Sequence, residues 1–197
     1  MKNKTSMLSA AILVSACAVP RIDPLSVPLS YTSDPKNKAV VGTLSCTAIS
    51  QVQASDARND KTLGVRTHES KPLKADVTTP SDVAAWVQNG VQTLLTQNGF
   101  SVSGSGPKLL ISVDSLHTTE SVWHRSSYGA RISLTGRLES TSGQVCWSES
   151  VEGTGGNYGY SGNVQNYQET LNEALDAADL KLAQLPGFKD ALCKCGN

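Results

Sequence analysis

The sequence has few of the residues on which catalysis and metal binding most often depend. Its 197 residues include only three histidines, and aromatic residues make up 5%. His68, His117 and His124 belong to no His-Glu-x-x-His helix motif, and the chain contains no Gly-x-Ser-x-Gly nucleophile elbow. The sequence therefore predicts no zinc-hydrolase site and no acyl-transfer site, and we expect neither a catalytic residue nor a cofactor.

The chain also lacks an excess of charge of either sign. Seventeen basic side chains balance seventeen acidic ones, whereas a nucleic-acid-binding protein needs a concentrated basic face. Beyond residue 16 no apolar stretch is long enough for a transmembrane helix. These absences exclude a nucleic-acid partner and a helical membrane span in the rest of the chain.

The N-terminus carries the most informative pattern. Lys2 and Lys4 precede an apolar run at residues 7–14, which is too short to span a bilayer and typical of a signal peptide. The following Val-Ser-Ala-Cys, which ends at Cys17, resembles the lipobox of bacterial lipoproteins. The resemblance implies cleavage of residues 1–16 and attachment of diacylglycerol to the Cys17 sulfur. The alternative is an ordinary secreted protein with a chance cysteine near its cleavage site.

The residues after Cys17 predict where the anchor is held. Residue 18 is Ala, whereas Asp at that position resembles an inner-membrane retention signal, so we expect the outer membrane, with the domain in the periplasm. Residues 17–38 read as a proline-rich tether, which would reach about 60 Å if fully extended. Its prolines are Pro20, Pro24, Pro28 and Pro35.

Four cysteines remain after the lipidated one, and an even number in an oxidising compartment indicates disulfides. Cys193 and Cys195 are too close in sequence to bridge each other comfortably. The tail at 189–197 is therefore expected to bond to Cys46 and Cys146, in one of two pairings. The alternative is a zinc site, but the spacing differs from the Cys-x-x-Cys pairs of structural zinc sites, so we predict no metal.

Periodicity places the main secondary structure. A helix is predicted with Thr79 as N-cap and an end before Gly99, and a second helix over 164–185. Residues 130–138 alternate between apolar and polar, as a half-buried antiparallel strand does. The glycine-rich stretch at 153–162 reads as a loop.

This order of elements predicts an α+β fold. We expect a two-layer sandwich in which a mostly antiparallel sheet carries two main helices on one face. Residues 39–188 would form a single periplasmic domain, and the first strand region lies within 39–54.

Several short motifs, taken in their order along the chain, resemble those of the YajG-like bacterial lipoproteins. These are the Asp56-x-Arg58 segment with its following Leu-Gly, the helix-ending Gly99-Phe100, the strand at 109–113, the hairpin through 144–147 and the terminal helix. The resemblance covers residues 39–185. It implies an envelope lipoprotein facing the periplasm and carries no established activity.

The remaining distinctive residues predict a binding role. Trp123, Arg125, Tyr158 and Tyr160 lie in predicted connections, and aromatic and Arg side chains often dominate binding energy. We therefore expect a non-enzymatic binding or scaffolding module, with an envelope protein as partner and the membrane bound through the N-terminal lipid. An auxiliary subunit of an envelope transport or assembly machine is the alternative, and an envelope hydrolase is the third hypothesis.

Overall fold

A computed structural model describes residues 21–33, 46–122 and 125–195 of the chain. The predicted signal peptide, Cys17 and Trp123 lie outside these residues. The strands are β1 (Leu25–Ser26), β2 (Ala48–Ile49), β3 (Gln51–Asp56), β4 (Gly64–His68), β5 (Lys71–Thr78), β6 (Ser101–Val102), β7 (Lys108–Val122), β8 (Ser126–Glu139) and β9 (Val145–Gly159). The helices are α1 (Val83–Gln97), α2 (Val164–Gln184) and α3 (Pro186–Cys195).

One mixed sheet forms the first layer. Its strands follow the order β1-β5-β4-β7-β8-β9, and β3 pairs with the first part of β7 while β4 pairs with the last part. The long β7–β8 and β8–β9 pairs are antiparallel, whereas β1–β5, β3–β7 and β4–β7 are parallel. The short β2–β6 pair forms a second, two-stranded sheet.

The three helices form the second layer. α2 packs on β8 and β9, α1 on β3, and α3 on β8 and β9. On the far side of β9 the side chains of Ser148, Ser150, Glu152 and Thr154 are exposed. The alternation of buried and exposed residues therefore gives the sheet one covered face and one open polar face. The predicted α+β sandwich is confirmed.

Helix α1 begins later than the sequence indicates. Asp82 is the N-cap, and its side chain accepts a hydrogen bond from the Ala85 N–H at 3.1 Å. The prediction that Thr79 caps the helix is wrong, because its hydroxyl accepts from the Ser81 N–H within the preceding turn. The end of the helix agrees with the prediction, since Gly99 follows the C-cap Asn98.

The glycine-rich stretch is mostly strand, so its prediction as a loop is wrong. β9 continues to Gly159, and α2 lies directly on its glycines. A Cβ at Gly153 would lie 1.9 Å from the Ala174 carbonyl oxygen, and one at Gly155 would lie 2.2 Å from that of Thr170. These glycines are required because the helix backbone approaches the strand too closely for any side chain.

Part of the predicted tether lies against the domain. We call residues 21–33 the N-terminal segment; β1 pairs with β5, and Val27 is fully buried. Beyond β1 the segment crosses the helix layer, where the carbonyl oxygens of Pro28 and Ser30 accept from Gln168 and Asn172 of α2. This docking shortens the chain that connects the domain to Cys17.

The C-terminal tail is helical and covalently bonded. α3 follows α2 directly after Leu185, and its Phe188 is fully buried. Disulfides join Cys46 to Cys193 and Cys146 to Cys195, with Cα–Cα distances of 5.2 Å and 5.8 Å. Of the two pairings left open by the sequence, the structure has this one.

Candidate functional site

One end of the sheet exposes large aromatic side chains. Tyr158 and Tyr160, at the end of β9 and just after it, are 76% and 84% exposed. The β8–β9 register pairs Ser126 with Gly159, so exposed Arg125 lies at the same end. We call Arg125, Tyr158 and Tyr160 the aromatic end. Three of the four predicted contact residues are thus brought together, while Trp123 lies outside the described residues.

A buried ion pair lies beneath the aromatic end. The Nε of Arg66 in β4 donates to Oε2 of Glu120 in β7 at 2.5 Å, and the Glu120 side chain is fully buried. The hydroxyl of Tyr167 in α2 donates to the same carboxylate at 2.8 Å, and the Gly162 N–H donates at 2.8 Å. Glu120 therefore joins the sheet, the helix and the turn between β9 and α2.

The same network fixes the backbone next to Tyr160. The Tyr128 hydroxyl donates to the Tyr160 carbonyl oxygen and accepts from the Asn163 N–H at 3.3 Å. Tyr128 and Tyr167 also pack edge to face, with ring centroids 4.9 Å apart. The backbone that presents the exposed tyrosines is thus held by buried polar contacts, which favours a fixed presentation of the two rings.

Arg66 also binds the N-terminal segment. Its Nη1 donates to the Asp23 carbonyl oxygen at 2.8 Å, and its Nη2 donates to the Ser161 hydroxyl at 3.2 Å. One guanidinium therefore bridges residue 23 to the turn that follows Tyr160. This geometry uses the fixed fork of donors that distinguishes Arg from Lys.

The charges in the network are balanced. Burial raises the pKa of the Glu120 carboxyl, but hydrogen bonds from Arg66, from the Gly162 N–H and from Tyr167 outweigh burial and lower that pKa overall. Burial, followed by the hydrogen bond to Glu120, raises the pKa of the Tyr167 hydroxyl. Glu120 is therefore ionised and Tyr167 protonated at neutral pH.

The buried cluster is closed to substrates. Glu120 has no exposed side-chain surface, and Arg66, Tyr128 and Tyr167 are all buried. A general acid or base must reach the proton that it transfers, and these groups are occupied with one another instead. The arrangement is suited to stabilising the backbone at the aromatic end.

A polar groove runs along the outer side of α2. It measures about 710 Å³ and is lined by the N-terminal segment, the end of β9 and α2. Its charged lining residues are Glu169, Glu173 and Asp176, and none of the described residues that line it is basic. Glu173 is engaged with the Gly156 N–H at 2.9 Å, and Asp176 accepts from the Tyr31 hydroxyl at 2.6 Å. Glu169 accepts from the side-chain amides of Asn157 and Gln165, both at 2.8 Å. The groove is acidic, but all three of its carboxylates already accept hydrogen bonds from within the fold.

A second buried carboxylate lies one helical turn from Asp176. Asp179 is 2% exposed, and its two carboxylate oxygens have no hydrogen-bond partner among the described residues. Burial, with a smaller contribution from the charge on Asp176, raises the pKa of the Asp179 carboxyl well above its usual value. The group therefore favours the protonated form.

A smaller ion pair holds the loop after β3. The Arg58 guanidinium donates to both Asp56 carboxylate oxygens, at 2.8 Å and 3.0 Å, and to the Thr62 carbonyl oxygen. These hydrogen bonds lower the pKa of Asp56 to about 2. This ion pair organises the loop.

Within the described ranges, no cluster of three or more His, Cys, Asp and Glu side chains is arranged to hold a metal ion. His68 lies at the end of β4 and His117 is exposed on β7, while His124 lies outside the described residues.

The sequence patterns single out neither Arg66 nor Glu120 as part of a site. The position of Glu120 in the sequence could have indicated that it is buried. It lies two residues after buried Thr118 and four after buried Leu116, in the alternation of β7. An acid at an inward position of a strand requires a buried partner. The partner Arg66 is 54 residues away, and only the parallel β4–β7 pairing brings the two together.

Comparison with known protein families identifies the family to which the chain belongs. A family model described as uncharacterized lipoprotein matches residues 35–184. The chain belongs to the YajG family of lipoproteins. The resemblance seen in the sequence motifs is therefore confirmed, whereas no curated protein matches this family member.

One solved structure shares the fold, and a second gives a weaker match. Protein XCC0632 from Xanthomonas campestris, assigned to the family model DUF330, superimposes with a TM-score of 0.51 at 12% identity, covering 85% of this chain and 96% of its own. A minor lipoprotein from Acinetobacter baumannii matches at 13% identity with a TM-score of 0.38, covering 77% of this chain and 96% of its own. The first likeness supports the fold of this lipoprotein.

Among the described residues of this lipoprotein, no helix combines the length and the apolar character needed to cross a bilayer.

Proposed function

We propose that this lipoprotein is anchored to the outer membrane through Cys17 and acts in the periplasm as a non-enzymatic binding or scaffolding module. Its contact surface would be the aromatic end. The observation that carries this proposal is the pair of exposed tyrosines, Tyr158 and Tyr160, on a backbone held by the buried Glu120 network. Exposed aromatic side chains on a fixed backbone bind with little loss of conformational entropy.

The residue types at the aromatic end support contact rather than chemistry. Tyr and Arg are enriched among the side chains that dominate binding energy. The buried carboxylate nearest to them is fully engaged in structural hydrogen bonds, so it has no free position for a substrate.

Fractionation tests the anchor. The wild-type chain should sediment with the outer membrane, whereas Cys17→Ser should be released or remain unprocessed, because the acyl chains supply the binding free energy. A wild-type protein found wholly in the soluble fraction would refute the anchoring.

Sedimentation with isolated envelope membranes tests the contact surface. The unlipidated Cys17→Ser form should bind them weakly, and Tyr158→Ser with Tyr160→Ser should lower that affinity about tenfold, equivalent to about 1.4 kcal/mol. Val145→Ser is the matched control, because Val145 is 50% exposed at the other end of the β8–β9 hairpin. Unchanged binding by the double variant, or a hydrolytic activity of the wild type on envelope polymers, would contradict the proposal.

A further inference from the structure

The chain enters the domain at the aromatic end. Leu25 pairs with Val77 in a parallel register, so residues before Leu25 run back along β5 toward Lys71. The other strands place His68 beside Lys71 and Val122 beside His68 at this same end. The polypeptide that leads to the anchor therefore approaches from the end of the sheet where β7 and β8 are joined.

Hydrogen bonds fix this entry point independently of the strand register. The Arg66 guanidinium donates to the Asp23 carbonyl oxygen at 2.8 Å and to the Ser161 hydroxyl at 3.2 Å. Asp23 and the residue that follows Tyr160 thus lie on two sides of one side chain. Asp23 also forms an exposed ion pair with Arg21 at 3.0 Å.

Chain length then limits the distance to the membrane. Cys17 precedes Arg21 by four residues, and four residues span at most about 14 Å. A lipid on Cys17 would therefore hold Arg21 close to the bilayer. The tether of about 60 Å expected from the sequence cannot separate them, because residues 21–33 already belong to the domain.

The exposed side chains at this end are those found at lipid interfaces. Tyrosines concentrate at membrane–water interfaces, where an apolar ring meets the head groups and the hydroxyl stays hydrated. Exposed cations near an anionic leaflet add further attraction. This end carries the exposed cations Arg21, Lys71, Lys74 and Arg125 and the exposed carboxylates Asp23, Glu69 and Glu169, the last of which accepts from the Asn157 amide beside Tyr158 at 2.8 Å. Its exposed tyrosines are 76% and 84% accessible.

We propose that the aromatic end of the domain lies on the surface of the phospholipid bilayer in which its own N-terminus is anchored. The inference rests on the lipid anchor of the proposed function and names the surface that the aromatic end contacts. Tyr158 and Tyr160 enter the head-group region, and Arg21, Lys71 and Arg125 face the anionic lipids. The open sheet face and β9, the last strand of the sheet among the described residues, then extend away from the membrane.

Photo-crosslinking of the full lipidated chain tests the inference. A benzophenone amino acid is placed at position 160 in one variant and at position 141 in another; Thr141 is exposed in the β8–β9 turn at the opposite end of the hairpin. Each protein is irradiated in native outer membranes and its adducts are identified by mass spectrometry. We expect phospholipid adducts from position 160 to exceed those from position 141 at least tenfold.

The other outcomes overturn the inference in distinguishable ways. Protein adducts alone from position 160 would refute the membrane contact and leave the binding function intact, with an envelope protein as the occupant. No adduct of either kind from position 160 would refute both the membrane contact and the proposed contact surface. Equal lipid labelling from both positions would show that the anchor imposes no orientation.

A vesicle experiment gives a second measurement that needs no anchor. The Cys17→Ser protein should bind vesicles of phosphatidylethanolamine and phosphatidylglycerol and should bind phosphatidylcholine vesicles several-fold more weakly, because the cations face an anionic surface. Tyr158→Ser with Tyr160→Ser should reduce binding to the anionic vesicles at least fivefold, whereas Val145→Ser should not. Equal binding by the double variant would overturn the role of the tyrosines at the membrane.

Discussion

The two ends of the β8–β9 hairpin are stabilised by different kinds of interaction. The aromatic end is held by a buried ion pair and hydrogen bonds centred on Glu120. The opposite end, which we call the cysteine end, is held by the Cys46–Cys193 and Cys146–Cys195 disulfides and by Phe188 of α3. Phe188 packs against Trp147 and Phe100, with ring centroids 5.2 Å and 5.9 Å away.

This difference separates a covalently tied end from one that depends on charge. Disulfide cysteines do not titrate, and the cross-links persist in an oxidising compartment and restrict the unfolded chain. The Glu120 network instead depends on ionised partners and on the exclusion of water. The aromatic end, which is proposed to make contact, lies over the Glu120 network and at the opposite end of the hairpin from the disulfides. A change in the charge of Glu120 or Arg66 would disrupt that network.

Removing the disulfides should have the largest effect. Replacement of all four described cysteines by Ser should lower the free energy of unfolding by about 5–9 kcal/mol, because loops with sequence separations of 147 and 49 residues are no longer closed. Urea unfolding measures the loss. Peptide mapping of the unreduced wild type should recover Cys46 with Cys193, and four free thiols in periplasmic material would contradict the pairing.

Breaking the Arg66–Glu120 ion pair should cause the second-largest loss of stability. Glu120→Ala should cost about 3 kcal/mol, since it leaves Arg66 buried without its carboxylate. The matched control is Glu152→Ala, which breaks an exposed pair with Arg131 and should cost less than about 1 kcal/mol. Hydrogen exchange in Glu120→Ala should rise in the turn at 160–163 while α3 stays protected. Uniform loss of protection would show that the two ends are one cooperative unit.

Replacing Asp179 of α2 should change the free energy of unfolding by a smaller amount, and it should stabilise the protein instead of destabilising it. Its pKa is raised in the folded state, so the folded protein binds its proton more tightly and stability falls as pH rises above the unfolded value of about 4. Asp179→Asn should therefore stabilise the protein by about 1 kcal/mol at pH 8 and have little effect at pH 3. Thermal unfolding at the two pH values checks this, and destabilisation at pH 8 would contradict it.

The smallest effect is expected from the exposed tyrosines. Tyr158→Ser with Tyr160→Ser should change the free energy of unfolding by less than about 0.5 kcal/mol, because both rings are mostly exposed. Urea unfolding of the double variant beside Val145→Ser measures this. Substantial unfolding would show that the rings support the fold, and the aromatic end would then lose its role as a contact surface.

Local patterns predicted the elements whose burial follows a regular period. The apolar residues of α1 and α2 recur at helical spacing, and the alternation at 130–138 identified the centre of β8. β5 was not recognised, because its buried Ala75 and Val77 are too few to give a clear alternation. The predicted loop at 153–162 failed because glycine signals flexibility locally, whereas here it permits contact with α2.

Sequence patterns are enough to place this chain among the lipoproteins of the YajG family, with an α+β sandwich and four cysteines in addition to Cys17. These properties depend on short motifs and on periods that are repeated within one element. Tertiary structure alone decided the disulfide pairing, the Arg66–Glu120 ion pair and the docking of residues 21–33. Each joins residues distant in sequence, so its partners are chosen by strand register and by the requirement that buried charges be paired.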